Sequence, residues 1–360
     1  ASYVLLIDNL GCLYHYQNRF QDAIDYFLKH EPKTPISRLT LIFAHSRLKH
    51  HSAAIDVCRQ WLMLEPKSPW AMRILGGAFR EAGQFVEAIT SLEHASELCR
   101  TDMHGQALCF WEKARTYADM GCYDLAMASS KRSIEKGPGY SLAHVHLGIL
   151  YRDFGLDEAA ERSYLRAIEL DEKYHVAQNN LGCLYRDLKR WQEASTCFER
   201  AFEINPKYSA PLRNRALLRL LLGELKRAEQ DIRSALQVNP YNASAKLLQG
   251  VLQALRGDLN RAQATWQEGL ILFPEHALHS RVHRTLYTVA LGQLEQGLAD
   301  LQRILEQEKP PAGLLRDVLQ TGHLLQRCPE PLPGLAEAVR LLVEGRENAP
   351  LFELKPQATA

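Results

Sequence analysis

Small and apolar residues recur along this chain at a nearly constant spacing. Alanines mark the pattern, and five of the seven steps between them are 34 residues long. They are Ala23, Ala54, Ala88, Ala126, Ala160, Ala194, Ala228 and Ala262. A bulky apolar or aromatic residue follows four positions later in six of these segments, for example Tyr164 and Phe198. Apolar residues four positions apart share one face of an α-helix, so the pattern predicts amphipathic helices.

Turn residues divide each segment into two helices. Glycines stand five positions before the alanine at Gly83, Gly121, Gly155, Gly223 and Gly257, and prolines twelve after it at Pro66, Pro138, Pro206, Pro240 and Pro274. Glycine tolerates the positive φ of a helix end, and proline cannot continue a helix. Around Ala160 the pattern predicts helices over Ser141–Asp153 and Asp157–Leu170. The alanine lies where the two helices approach each other, so we expect only a small side chain to fit there.

The best copy of the pattern covers residues 175–208. It contains Leu181-Gly182-x-x-Tyr185, followed by Ala194-x-x-x-Phe198. These motifs resemble the tetratricopeptide repeat, a helix-turn-helix unit of the same length. The resemblance implies an all-α fold, a right-handed α-solenoid of about nine repeats with a concave inner face.

The domain organisation follows from the same pattern. The predicted repeat array covers residues 4–311, with repeats that begin at Val4, Pro35, Pro69, Ala107, Ser141, His175, Ser209, Ala243 and Leu278. Two amphipathic patterns, over 314–326 and 335–343, predict C-terminal capping helices within residues 312–344. Residues 345–360 are predicted to be a flexible tail.

Three irregularities interrupt the pattern. Residues 103–106 form an insertion between the third and fourth repeats. Asn18, Lys49 and Lys189 stand where other repeats have the turn glycine. Lysine at a position with positive φ costs some strain, which asparagine tolerates better.

Composition and charge narrow the function classes. The chain of 360 residues has 43 Lys and Arg against 42 Asp and Glu, a net charge of +1. This balance gives no general attraction to nucleic acid, and no apolar run is long enough for membrane insertion. Eight cysteines without CxxC spacing indicate reduced thiols, so we expect a cytoplasmic protein.

Motifs for catalysis are missing from the sequence. It contains no GxGxxG, no GxxxxGK[ST], no GxSxG and no HExxH. His279 and His283 have the spacing of two metal ligands on one helix, but no third ligand accompanies them at ligand spacing. The sequence therefore predicts a protein that is not an enzyme and needs no cofactor.

The family resemblance implies which residues line the concave groove. In tetratricopeptide proteins these are positions 2, 5, 6, 9, 12 and 13 of each first helix. The polar candidates are Arg73, Arg80, Glu112, Arg115, His146, Arg152, Asn179, Asn180, Arg186, Arg213 and Asn214. Two interpretations of the arginines stay open, since they can contact a ligand or form salt bridges between neighbouring repeats.

Asparagine occupies position 6 in three repeats, at Asn9, Asn180 and Asn214. This partly resembles the asparagine ladder of O-GlcNAc transferase repeats, in which amides bind a peptide backbone. An amide side chain both donates and accepts, so it can pair with any main chain.

Toward the C-terminus the predicted groove becomes apolar. The candidate anchors are Leu217, Leu247, Leu248 and Val251. An apolar stripe of this length does not stay in water. Either the superhelix tightens or the terminal helices fold back over the stripe, or the stripe receives a partner segment.

Taken together, these patterns predict a non-enzymatic scaffold or adaptor that binds a peptide segment or a partner protein in its concave groove. The chain begins at Ala1 rather than at a methionine. The alternative is therefore the recognition module of a larger enzyme, such as a glycosyltransferase, a protease or a signalling ATPase. Direct nucleic-acid binding is disfavoured, because acids match the groove arginines and no aromatic stacking platform accompanies them.

Overall fold

The computed structural model describes residues 10–17, 19–32, 34–272, 278–308 and 310–349. Every regular element in these ranges is an α-helix. The chain divides into two compact units, Ala1–Pro138 (unit 1) and Gly139–Ala360 (unit 2).

Unit 1 contains eight helices within the described residues. They are α1 (residues 10–16), α2 (Phe20–Lys29), α3 (Pro35–Arg47), α4 (His51–Leu64), α5 (Pro69–Glu81), α6 (Phe85–Leu98), α7 (Met103–Asp119) and α8 (Tyr123–Lys136).

Unit 2 contains the remaining helices of the described chain. They are α9 (Ser141–Asp153), α10 (Asp157–Leu170), α11 (His175–Asp187), α12 (Trp191–Ile204), α13 (Ala210–Leu221), α14 (Leu225–Val238), α15 (Ala243–Leu255), α16 (Leu259–Ile271), α17 (Leu278–Ala290), α18 (Leu294–Gln307), α19 (Ala312–Leu325) and α20 (Leu335–Glu347).

The helices pack as consecutive pairs. From α3–α4 to α17–α18, each odd-numbered helix packs against the even-numbered helix that follows it, and each pair packs against the next pair of its unit. The first helices of successive pairs also touch, as α5 touches α7 and α11 touches α13. This arrangement confirms the predicted all-α fold of stacked helix pairs.

The repeated alanines and the bulky residues four positions after them form the contact between the two helices of a pair. All eight alanines are at most 1% exposed. Four residues later, the bulky side chain packs on a glycine of the first helix. A Cβ atom at Gly148 would lie 2.6 Å from Cε1 of Tyr164, and one at Gly182 would lie 2.7 Å from Cε1 of Phe198. The small residues are therefore required on both sides of the contact.

The turn between the helices of a pair uses a left-handed backbone residue. Gly155 has a φ of 74°, and Lys49 and Lys189 have φ of 61° and 60° at the equivalent turns. The strain predicted for the two lysines is therefore present, at about 1–2 kcal/mol for each residue. Asn18 lies outside the described residues.

Capping residues mark the N-terminus of several first helices. The Thr34 side chain accepts from the backbone N–H of Ser37 and forms a capping box with it, and Pro35 follows at the first helical position. Asn242 caps α15 by accepting from the backbone N–H of Ala245 over 3.1 Å. The inserted residues 103–106 are helical, so α7 has 17 residues where α5 has 13.

The last two helices lie in different places. Helix α20 packs against α17 and α18, the last helix pair of unit 2. Helix α19 packs against α17 as well, but it also runs back to α15, α13 and α9. It therefore lies along the first helices of unit 2 rather than only over the last pair, as a simple cap would.

Candidate functional site

Arginine–aspartate pairs connect the first helices of neighbouring repeats. Arg80 Nη1 on α5 donates to Asp119 Oδ2 on α7 over 2.8 Å. Arg152 Nε on α9 donates to Asp187 Oδ2 on α11, also over 2.8 Å. In both pairs the arginine is the twelfth residue of its repeat, and the aspartate is the thirteenth residue of the next repeat. Of the two interpretations of the arginines, salt bridging between neighbouring repeats is thus observed for these two.

Unit 1 extends its pair into a small charged network. Arg73 lies 3.7 Å from the Glu112 carboxylate, which also accepts from Arg115 over 3.2 Å. The Arg115 guanidinium carbon lies 4.8 Å from the centroid of the Trp111 ring. Burial opposes the charge of Arg80, but the neighbouring carboxylates outweigh it and raise the pKa above its ordinary value. Arginines and acids are therefore matched on this face.

Exposed apolar side chains accompany this network. Ile36 and Phe43 on α3 are 65% and 43% exposed, and Trp70 on α5 is 38% exposed. They occupy positions 2, 9 and 2 of their repeats, which belong to the same inner positions as the arginines. The unit 1 inner surface is defined here as Ile36, Phe43, Trp70, Arg73, Arg80 and Arg115. Within the described residues of unit 1, no helix packs over its apolar part.

In unit 2 the equivalent face is covered by α19. The four apolar residues predicted as anchors are each at most 4% exposed. They share one core cluster with Leu315, Val318 and Leu319 of α19. Of the interpretations left open by the sequence, the fold-back of a terminal helix over the apolar stripe is the one observed. The stripe residues are Leu217, Leu247, Leu248 and Val251.

Polar contacts also hold α19 on this face. Arg316 Nη1 and Nη2 donate to the two carboxylate oxygens of Asp157 over 2.8 Å and 3.1 Å. Gln320 Nε2 donates to Asp187 Oδ1 over 3.2 Å. A Cβ atom at Gly313 would lie only 2.1 Å from a backbone carbonyl oxygen at the end of α9. The start of α19 therefore approaches the α9 backbone as closely as only glycine permits.

Most of the predicted polar groove residues of unit 2 are buried. They are His146, Arg152, Asn179, Arg186 and Asn214, each at most 9% exposed. Asn180 and Arg213 are half-buried. For the five buried side chains the expectation of an open groove is corrected, because each is at most 9% exposed. For Asn180 and Arg213 it stays a prediction.

One member of the predicted asparagine ladder, Asn214, forms a hydrogen bond inside the protein. Asn214 Nδ2 on α13 donates to Asn179 Oδ1 on α11 over 2.8 Å, and both side chains are buried. This amide pair joins two repeats, so one amide N–H of Asn214 is engaged within the protein. Asn9 lies outside the described residues.

Cysteine and histidine side chains offer little reactive chemistry. All eight cysteines are free thiols, and burial raises the pKa of Cys58, Cys109 and Cys197 to about 12. His283 lines a small cavity beside Leu248, while the side chain of His279 lies outside the described part of the chain. Among the described residues, no three His, Cys, Asp or Glu side chains are grouped as metal ligands.

The sequence analysis missed two sets of residues, the exposed apolar side chains of unit 1 and the polar residues of α19. Ile36, Phe43 and Trp70 stand at inner positions of the second and third repeats, so applying the family positions to apolar residues there would have found them. Arg316 and Gln320 gave no such signal. Arg316 and its partner Asp157 are 159 residues apart in the chain, and nothing local points from one to the other.

Stacked helix pairs with an inner face of this kind define a helical-repeat protein. Tetratricopeptide repeat models match residues 6–35, 142–174 and 175–208. The chain therefore contains tetratricopeptide repeats over these residues, and stacked repeats of this kind create concave binding surfaces for other proteins. No curated protein matches the chain.

Similar solved structures include two crystal structures of MamA. One is 22% identical with a TM-score of 0.37, over 46% of this chain and 95% of that one. The other is 21% identical with a TM-score of 0.37, over 49% and 93%. A third is YrrB, described as a TPR protein with an unusual peptide-binding site, at 15% identity and a TM-score of 0.35 over 52% and 95%. In the described ranges, no helix has the length and apolarity needed to cross a membrane.

Proposed function

We propose that this protein is a non-enzymatic interaction scaffold that binds a segment of a partner protein on the unit 1 inner surface. The observation that carries the proposal is the exposure of Ile36, Phe43 and Trp70 beside a row of arginines. A tryptophan and a phenylalanine that are partly exposed next to arginine have the composition of binding hot spots. An adaptor role in the cytoplasm belongs to the same proposal, and the eight free thiols support it.

The surface chemistry suggests what the partner segment looks like. Arg73 and Arg80 have side chains that are 17% and 13% exposed, and Arg115 is 34% exposed. Each is paired with a carboxylate, so the face attracts no polyanion. A guanidinium has five N–H donors, and those not used by the acid can bind carbonyl or carboxylate oxygens. The face therefore suits a short segment with apolar side chains for α3 and α5 and hydrogen-bond acceptors for the arginines.

A peptide-display selection against the full chain tests this proposal. Selected peptides are measured by fluorescence anisotropy against the unchanged protein and against Trp70→Ala and Phe43→Ala. Loss of a hot-spot side chain costs about 2 kcal/mol, which is about 30-fold in Kd. The matched control is Val86→Ala on the second helix α6, because Val86 is 72% exposed but lies off the inner face.

Two results would contradict the proposal. Peptides that bind Trp70→Ala and Phe43→Ala as tightly as the unchanged protein would place the binding surface elsewhere. A selection that returns no binding peptide at all would refute the capture of a linear segment. Far-UV circular dichroism of each variant verifies that the helices remain, so that a lost signal reports on binding.

A further inference from the structure

Helix α19 stands outside the repeating architecture of unit 2. The pairs α9–α10 to α17–α18 pack against one another in sequence, and none of these pair contacts involves α19. The repeated alanines and the bulky residues that follow them also make their contacts within the repeats. The repeat pairs therefore form contacts of their own, and α19 adds further core contacts to the surface that their first helices present.

The contacts of α19 are those of an amphipathic ligand helix. Leu315 and Leu319, one turn apart, are at most 4% exposed and pack on the apolar stripe. Arg316 and Gln320, also one turn apart, face carboxylates of α10 and α11. The helix thus presents an apolar row to apolar residues and a polar row to acids, which is how a partner helix occupies a groove.

The polar edge of this contact is open. Asp157, Asp187, Arg316 and Gln320 line a cleft of about 880 Å³, together with Lys189 and residues of α20. The Arg316 and Asp157 side chains keep 14% and 24% of their surface exposed. A competing helix therefore has access to Asp157 from this side before α19 has left completely, whereas the Asp187 side chain is 0% exposed and is reached only once α19 has moved.

We propose that α19 is a built-in competitor for the inner face of unit 2, and that this face binds a partner helix of the same chemistry in its place. The partner helix carries an arginine for Asp157, a hydrogen-bond donor four residues later for Asp187, and leucine or valine beside them for the apolar stripe. This interaction surface is additional to the unit 1 inner surface, so it does not depend on binding there.

Release of α19 can be produced without changing the face that it covers. Gly313→Ala places a Cβ atom against the α9 backbone, and Arg316→Glu sets a negative charge against Asp157. Gly77→Ala is the matched control, because Gly77 is also helical and a Cβ atom there meets nothing within 4 Å. Hydrogen exchange of α19 verifies its release in each full-length variant.

The probe is a fluorescein-labelled synthetic peptide of residues 311–327 of this chain. We expect it to bind Gly313→Ala and Arg316→Glu with a Kd about tenfold or more below that of the unchanged protein and of Gly77→Ala. The reason is that an occupied groove lowers the competent fraction and raises the apparent Kd in proportion. A peptide that carries Arg316→Glu is expected to lose binding to Gly313→Ala and to regain it with the protein variant Asp157→Arg.

Several results would overturn the inference. One is a peptide that binds neither release variant although α19 exchanges quickly and the helical signal is intact. Others are equal binding to the unchanged protein, or no effect of the charge reversal in the peptide. Loss of helical signal from unit 2 in both release variants would make α19 part of the core and refute its role as a competitor. None of these results alters the Trp70→Ala test, so the two surfaces are judged separately.

Discussion

Replacing Asp187 by asparagine is expected to destabilise unit 2 by about 3–5 kcal/mol, because it removes a buried carboxylate that two guanidinium groups share. The Asp187 and Arg186 side chains are 0% exposed, and that of Arg152 is 11% exposed. Asp187 accepts from Arg152 over 2.8 Å and from Arg186 over 3.0 Å. Asparagine keeps the size of the side chain but removes the negative charge that both guanidinium groups share.

Unit 1 supplies a matched control at the same repeat position. Asp119 also pairs with an arginine of the preceding repeat, Arg80, and the distance is again 2.8 Å. Its side chain is 33% exposed, however, since no described helix covers it. The Arg80 guanidinium keeps a second carboxylate, that of Glu81, at 3.9 Å, so Asp119→Asn is expected to cost about 1 kcal/mol or less. The difference between the two variants therefore measures what burial and the additional donors Arg186 and Gln320 add at the same repeat position.

Urea unfolding of the full-length variants, followed by far-UV circular dichroism, gives the two free energies of unfolding. Hydrogen exchange assigns each loss to unit 1 or unit 2, because local opening need not be uniform along a repeat stack. Added salt should weaken the Arg80 pair more than the buried pair. Equal costs for Asp187→Asn and Asp119→Asn, or a cost below about 1 kcal/mol for Asp187→Asn, would show that the buried network is solvated and would refute this reasoning.

Three further predictions concern single positions. Lys189→Gly should stabilise the protein by about 1 kcal/mol and raise Tm by about 2–4 °C in a thermal scan, because glycine removes the left-handed strain; an unchanged Tm would argue against strain. Ala194→Leu should cost about 1–3 kcal/mol in urea unfolding by overpacking the helix pair. Burial, followed by the charge of His50, lowers the pKa of His45 below 6.5. As the pH falls, His45 is therefore protonated in the unfolded state before it is protonated in the folded state. The contribution of His45 to stability should be complete above about pH 6.5 and decrease as the pH falls through the lowered pKa. His45→Gln should flatten this part of a plot of unfolding free energy against pH.

The repeat register could be predicted because each column depends on contacts within one helix pair. Ala194 and Phe198 are one turn apart, and the glycine that Phe198 covers is only 16 residues away, at Gly182. The turn conformation could also be predicted from the sequence. Lys189 adopts the same left-handed φ as Gly155, which indicates that the repeat geometry sets the backbone and that the residue adapts to it.

The position of α19 could not be predicted from the same kind of signal. An amphipathic pattern shows that one face of a helix is buried, but not which surface buries it. The decisive contact joins Arg316 to Asp157 across 159 residues, and both residue types are common on exposed helix faces. The sequence therefore predicted the repeat register. It could not predict which inner positions are exposed, because that depends on a helix outside the repeats.

On both inner faces, the share of large apolar side chains determines whether a helix must cover the surface. In unit 2 the stripe around Leu248 and Val251 would expose several large apolar side chains, each worth about 1.5–3 kcal/mol when fully buried. An uncovered stripe of that size would drive association, so a helix such as α19 must lie over it. In unit 1, exposed Ile36 and Trp70 are interspersed with paired arginines and remain compatible with water. It follows that any helix that replaces α19 must bring comparable apolar area, since a partner that satisfied only Asp157 and Asp187 would leave the stripe exposed.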